Sequence, residues 1–244
     1  MAEAVTDPRQ RVVQEGLISK SLTAAAKVIQ WLLLSLLFSI IIEWAGMVLW
    51  WPDEGLDHSR AMLAMEISYL DTDFRRSVVT SDPARFAKRF ADNTYHYLFE
   101  VTRFVDFIQW VSPPPVPTEQ GLRPTLHKIF HPIAEFVIAM MQVTQVFSVR
   151  LAILTLAMPM FLLFSVVARV EGVVQRDLRR GGGGGVSSFV YHYAQIAALP
   201  LVVLAWVVYL ALPFSLHPTF IVLPFAALFA LTVSVTASTF KKYL

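Results

Sequence analysis

The chain has 244 residues, 56% of them hydrophobic and only 16% charged, a balance shifted away from soluble domains and toward membrane proteins. Its net charge of +2 comes without one long basic block, so there is no case for direct nucleic-acid binding. It has no cysteine, which excludes disulfides, thiolate metal sites and a cysteine nucleophile, and leaves the redox compartment open.

Residues 1–27 are polar and then mildly amphipathic. Val12, Val13, Leu17 and Ile18 fall at helical spacing and predict a short helix on the inner membrane face. Residues 28–51 form an apolar run with one charge, Glu43. The run is long enough for a helix to cross a bilayer core of roughly 30 Å. It is too long for a signal-peptide core and ends in Trp50, Trp51 and Pro52, with no small-residue cleavage pattern, so it reads as a retained span. The tryptophans suit the interfacial aromatic belt.

Residues 52–135 read as a helical region. A helix is expected over 58–69. A clearer one starts at Ser81-Asp82-Pro83, where Asp82 caps and Pro83 takes the first helical position. Phe86, Phe90, Tyr97, Val101, Phe104 and Ile108 then recur as one apolar stripe, opposite Arg85, Lys88, Arg89, Asp92, Arg103 and Asp106. The exposed rings of Phe86, Phe90 and Phe104 call for burial against the region's other helices or a second copy. The run Ser112-Pro113-Pro114-Pro115-Val116-Pro117 ends this helix and forms a stiff connector.

Three uncharged runs follow, at 151–168, 196–213 and 220–239. Residues 136–180 read as one long helix that contains the second span at about 151–168. The stretch 135–150 is apolar but carries Gln142, Thr144 and Gln145, and a separate re-entrant or interfacial segment is the alternative there. The third and fourth spans are expected within 193–213 and 220–240. Between the second and third, Gly181 to Gly185 break the helix, and Ser187 or Ser188 is placed to cap the next. Residues 181–192 thus form the tip of a helical hairpin.

Charge sets the expected topology, because Lys and Arg in short loops stay in the cytoplasm. Arg9, Arg11, Lys20 and Lys27 precede the first span. Arg169, Arg176, Arg179 and Arg180 follow the second, and Lys241 and Lys242 follow the fourth. The connection 213–219 has neither residue type. The reading is an all-α membrane protein with four transmembrane helices and both termini inside. The helical region between helices 1 and 2 is extracytoplasmic.

Candidate chemistry is sparse. The glycine run lacks the Gly-Lys-Ser/Thr that a phosphate loop needs, since Val186 follows it. His127 and His131 stand four apart without a third metal ligand or an HExxH context. Asp71 and Asp73 read as a solvated turn. Glu43 is either an interhelical polar lock or ion relay, or a glutamate close to the outer interface. No nucleophile–base pair is visible, so no catalytic residue, cofactor or metal is expected, and the chain reads as a non-enzyme. The arginines 169, 176, 179 and 180 serve orientation, and suit anionic lipid headgroups or an acidic partner.

The stretch Arg176-Asp177-Leu178-Arg179-Arg180, the glycine tip, and Ser187-Ser188-Phe189-Val190-Tyr191-His192 resembles the membrane proteins of integrating conjugative elements, a family that includes TraJ-like transfer proteins. The likeness extends over most of the chain. It departs at the tip, where Gly181 and Gly184-Gly185-Val186 replace an aromatic and an Arg-Glu pair. The resemblance implies a bacterial inner-membrane accessory of a conjugative type IV secretion system, acting by binding. It also implies a partner, a coupling ATPase of the TraD/TraG type. The expected contact residues are Arg169, Arg176, Asp177, Arg179, Arg180, Ser187, Ser188, Phe189, Tyr191 and His192. The lipid bilayer is the other expected partner, with a homo-oligomer possible and direct nucleic-acid contact not expected. Two other classes share the architecture. A small transporter or channel is suggested by Glu43, Arg150, Pro159, Pro200 and Pro224, because broken helices build midplane sites. An entry-exclusion or immunity-like protein would act in the recipient.

Overall fold

The computed structural model describes residues 17–73, 82–115, 121–181 and 188–239, and among these every regular element is a helix. The helices are α1 (Leu17–Leu49), α2 (Leu56–Asp73), α3 (Pro83–Tyr95), α4 (Phe104–Val111), α5 (Leu122–Phe130), α6 (Ala134–Gly181), α7 (Ser188–Ala211) and α8 (Thr219–Thr239). A π-helical turn, His96–Glu100, follows α3, and a 3-10 turn, His131–Ile133, precedes α6. Four segments are long and apolar enough to cross a membrane: Ala26–Leu49, one within Leu122–Leu178, His192–Ala211 and Thr219–Thr239.

The axis of the molecule is α6, at 48 residues. At 1.5 Å per residue it extends roughly 72 Å, more than twice the bilayer core. Its two halves have different neighbours. Trp44 of α1 donates its indole N–H to Phe136 O at 2.8 Å, and Leu32 and Leu36 of α1 pack against the buried core. Ser59 and Glu66 of α2 meet Gln142 and Arg150 in turn, so α2 runs parallel to α6. Ala87 and Ala91 of α3 also join this core. Beyond Arg150 the main neighbour is α8, which runs parallel to α6. Phe161 meets Phe229 edge-on, and Gly172 abuts Ser234 and Ala237.

Burial follows the same division. Most α6 side chains from 139 to 157 are buried, whereas Leu162, Leu163, Val166, Val167, Val170 and Val174 are exposed. The apolar character of 135–150 therefore reflects packing against α1, α2 and α3. This stretch continues into the uncharged run 151–168 as one helix, without a break. Pro159, Pro200 and Pro224 lie inside helices that continue through them.

Two expectations are corrected. Leu17 and Ile18 belong to the first turn of α1 and not to a separate helix, while Val12 and Val13 lie outside the described residues. The stripe from Phe86 to Ile108 is not one helix. Asp82 does cap α3, accepting from the Arg85 N–H at 3.0 Å. After Tyr95, however, the chain passes through the π-turn and then Arg103 at φ 57°, a left-handed conformation that ends helical continuity. Phe90, Tyr97 and Val101 are exposed, Phe86 and Phe104 half-buried. The small side chains Ala87 and Ala91 make the buried contact, because they allow α3 to approach α6 closely.

Candidate functional site

Two constellations of polar residues stand out, one inside the helical packing and one at the far end of α6. The first centres on Arg150. Its guanidinium donates from Nε to Glu66 Oε1 at 2.8 Å, from one terminal nitrogen to Leu212 O at 2.6 Å, and from the other to Phe214 O at 2.9 Å. The second oxygen of Glu66 accepts from the Tyr209 hydroxyl at 2.9 Å. Arg150 and Glu66 are 1% and 0% exposed. A charge so buried is tolerable only when it is paired and its donors are filled, as here. Leu212 and Phe214 follow the last turn of α7, where helical carbonyls lack an intrahelical partner and negative partial charge collects. Arg150 thus ties α2, α6 and the α7–α8 connection together, and Ser215 reinforces it by donating to Met62 O at 3.1 Å.

A smaller pair lies between α1 and α2. His58 Nδ1 is 3.1 Å from Glu43 Oε1, and the Trp51 ring stacks on His58 with centroids 4.0 Å apart. Glu43 is 1% exposed, and its contact with His58 joins α1 to α2 as an interhelical lock. Trp51 reaches His58 because both its N–H and that of Trp50 bond Gly46 O, folding the chain back over a residue without a side chain. Glu43 and Arg150, the charges that suggested a transport path, are thus each engaged in a buried pair.

The second constellation holds the arginines. Arg169, Arg176, Asp177, Arg179 and Arg180 are in the last turns of α6, and Ser188, Phe189, Tyr191 and His192 are in the first turns of α7. Ser187 and the tip 182–187 lie outside the described residues, as do the side chains of Arg179, Arg180, Ser188, Phe189 and Tyr191. Arg176 pairs with Asp177 at 3.2 Å. His192 is exposed and meets Tyr193 edge-on. Arg169 and Arg176 line one groove of about 470 Å³, with Ser165, Ala198, Phe229 and Thr236. A second groove of about 500 Å³ lies between α6 and α8, with Glu171, Gln175 and Ser234 among its walls.

His127 is held by Val111 O at 2.9 Å and lies 5.7 Å from the His131 ring. Among the described residues no three His, Asp or Glu side chains gather at one point. Asp71 and Asp73 end α2 as part of the helix, where a turn was expected. Sequence reasoning passed over Glu66, His58 and Tyr209. One signal was present: Ser59, Met62 and Glu66 recur at helical spacing and are all buried, so a glutamate sits on the inward face of α2.

Comparison with known proteins places this arrangement in context. A family model described as DtrJ-like, IncC plasmid conjugative DNA transfer protein DtrJ-like, matches residues 50–241. That stretch begins at the end of α1 and runs through α8, so it includes the Arg150–Glu66–Tyr209 cluster and both grooves. No curated protein and no solved structure matches the chain.

Proposed function

Because the chain belongs to the DtrJ-like family of conjugative DNA transfer proteins, we propose that it is a non-catalytic inner-membrane accessory of a conjugative type IV secretion system that binds the coupling ATPase. The observation that carries this reading is the family match over 50–241, joined to four helices apolar enough to span a membrane. The likeness of the 176–192 stretch to the TraJ-like proteins of integrating elements supports the same role.

Charge supports an orientation. Lys20 and Lys27 lie at the start of α1, and the arginines 169 to 180 lie at the end of α6. The connection from α7 to α8 has neither Lys nor Arg. Both termini are then cytoplasmic, and α2 to α5 are extracytoplasmic. The α6–α7 junction faces the compartment in which an ATPase works. Arg176, Arg179, Arg180 and the following Ser188, Phe189, Tyr191 and His192 form the docking segment in this reading, with α7 and α8 available to the partner's own membrane helices.

The test is a donor strain lacking the gene, complemented with the wild-type protein or with Arg176, Arg179 and Arg180 all replaced by Ala. Loss of conjugation on deletion, and failure of the triple variant to restore transfer or to co-purify with the ATPase, is the expected result. Undiminished transfer by a normally expressed triple variant overturns the docking segment. Normal transfer from the deleted donor overturns the transfer role. If deletion in the recipient instead changes transfer frequency, the protein is an exclusion factor.

A further inference from the structure

We propose that the groove beside Arg169 and Arg176 is a binding site for an anionic phospholipid of the surrounding bilayer, with the two guanidinium groups on its phosphate and one acyl chain along the groove. This goes beyond the ATPase reading and does not depend on it.

The geometry begins with helical spacing. Ser165, Arg169, Val173 and Arg176 are separated by four, four and three residues, which places all of them on one face of α6. That face is the floor of the groove. Ala198 of α7 and Phe229, Val233 and Ala237 of α8 supply apolar walls, and Ser165 and Thr236 add hydroxyls. From Ser165 to Arg176 the floor runs roughly 16 Å along the axis. Its volume of about 470 Å³ falls in the range of sites that bury a ligand.

Polarity is graded along this length. The Phe229 end is apolar, level with Phe161 in the middle of the packed α6–α8 pair. The Arg176 end lies beyond Gly172, which abuts Ser234 and Ala237 near the end of α8. A phospholipid has this polarity, with a charged phosphate at one end and hydrocarbon below. Arg169 is exposed and forms no ion pair among the described residues. The partner of Arg176, Asp177, engages one side of its guanidinium and is itself 62% exposed, leaving further N–H donors. Planar guanidinium donors match phosphate oxygens in pairs.

The other groove provides a contrast. It lies between α6 and α8 alone and is of similar size, but its polar end carries Glu171, hydrogen-bonded to Gln175 at 3.2 Å. An anionic headgroup is repelled there and attracted beside Arg169. A soluble acidic protein is the less suitable occupant, because the apolar walls at Ala198 and Phe229 belong to helices apolar enough to span the bilayer.

The test uses the full chain purified in mild detergent and offered equal amounts of phosphatidylglycerol and phosphatidylcholine, with retained lipid counted by native mass spectrometry. Two arginines near the headgroup imply a preference for phosphatidylglycerol on the order of tenfold. Replacing Arg169 and Arg176 together by Gln should bring the preference close to parity, and E171Q should leave it unchanged. V233W fills the groove while both arginines remain, and it should also lose the preference. It serves as an independent variant if the double substitution fails to fold. Equal retention of the two lipids by the wild type overturns the proposal, as does a tenfold preference that survives R169Q/R176Q. A preference that survives V233W places the anion on the open surface and overturns the groove. Displacement of the lipid by millimolar inorganic phosphate identifies a free-anion site and overturns the lipid.

Discussion

Arg150 on α6 and Glu66 on α2 stand 84 positions apart in sequence, yet they share a 2.8 Å charge-assisted hydrogen bond with both side chains withdrawn from solvent. Tyr209 completes the contact from a third helix. The apolar segments of α6 and α7 therefore meet α2 through a buried ion pair, beside the Ser59–Gln142 hydrogen bond between α2 and α6.

Removing one partner should be costly, because the other charge stays buried. Glu66→Ala is expected to destabilise the protein by about 3–5 kcal/mol, and Arg150→Met with Glu66→Leu to recover much of the loss. Thermal unfolding in detergent, followed by size-exclusion recovery, measures both. A Glu66→Ala melting temperature equal to wild type would show that the pair is not held in solution.

Gly172 permits the close approach of α6 and α8. A Cβ there would lie 2.5 Å from Ser234 O, a backbone atom that cannot move away alone. Gly172→Ala should cost about 1–3 kcal/mol through overpacking, while Val173→Ala, one residue on and exposed, should change little. Equal melting temperatures for the two variants would contradict this packing.

The lock between α1 and α2 depends on a stack. Gly46 leaves room for the Trp51 ring, which lies over His58. His58→Ala removes the hydrogen bond to Glu43, whose other oxygen has no partner among the described residues, and should cost about 1–3 kcal/mol. Gly46→Ala should displace Trp51 and speed proteolysis at 50–55. Resistance equal to wild type in both variants would remove the lock from the account.

On α3 the small residues matter more than the aromatic ones. Ala87→Leu is expected to cost about 1–3 kcal/mol by overpacking, whereas Tyr97→Ser, on an exposed ring, should stay within roughly 0.5 kcal/mol. The opposite order in denaturation would restore the aromatic stripe as the buried face.

Composition and patterning alone dictate the helical class and the four membrane-capable helices, and the residue order carries both. In lipid a long apolar run can satisfy its backbone polar groups within itself by forming a helix. Residue order also determined local events such as the Asp82 cap, which needs only near neighbours. It marked the arginines 169 and 176, since charge beyond a span is visible without a fold. What it did not determine was which charges meet. Glu66, Arg150 and Tyr209 are scattered over more than 140 positions, and no local pattern links them. Nor did the spacing of Phe86 to Ile108 show that Arg103 would break the helix and that Ala87 and Ala91 would be the residues inside. Those choices belong to tertiary structure, because burial of a charge or a ring depends on what the opposing helix offers at the same height.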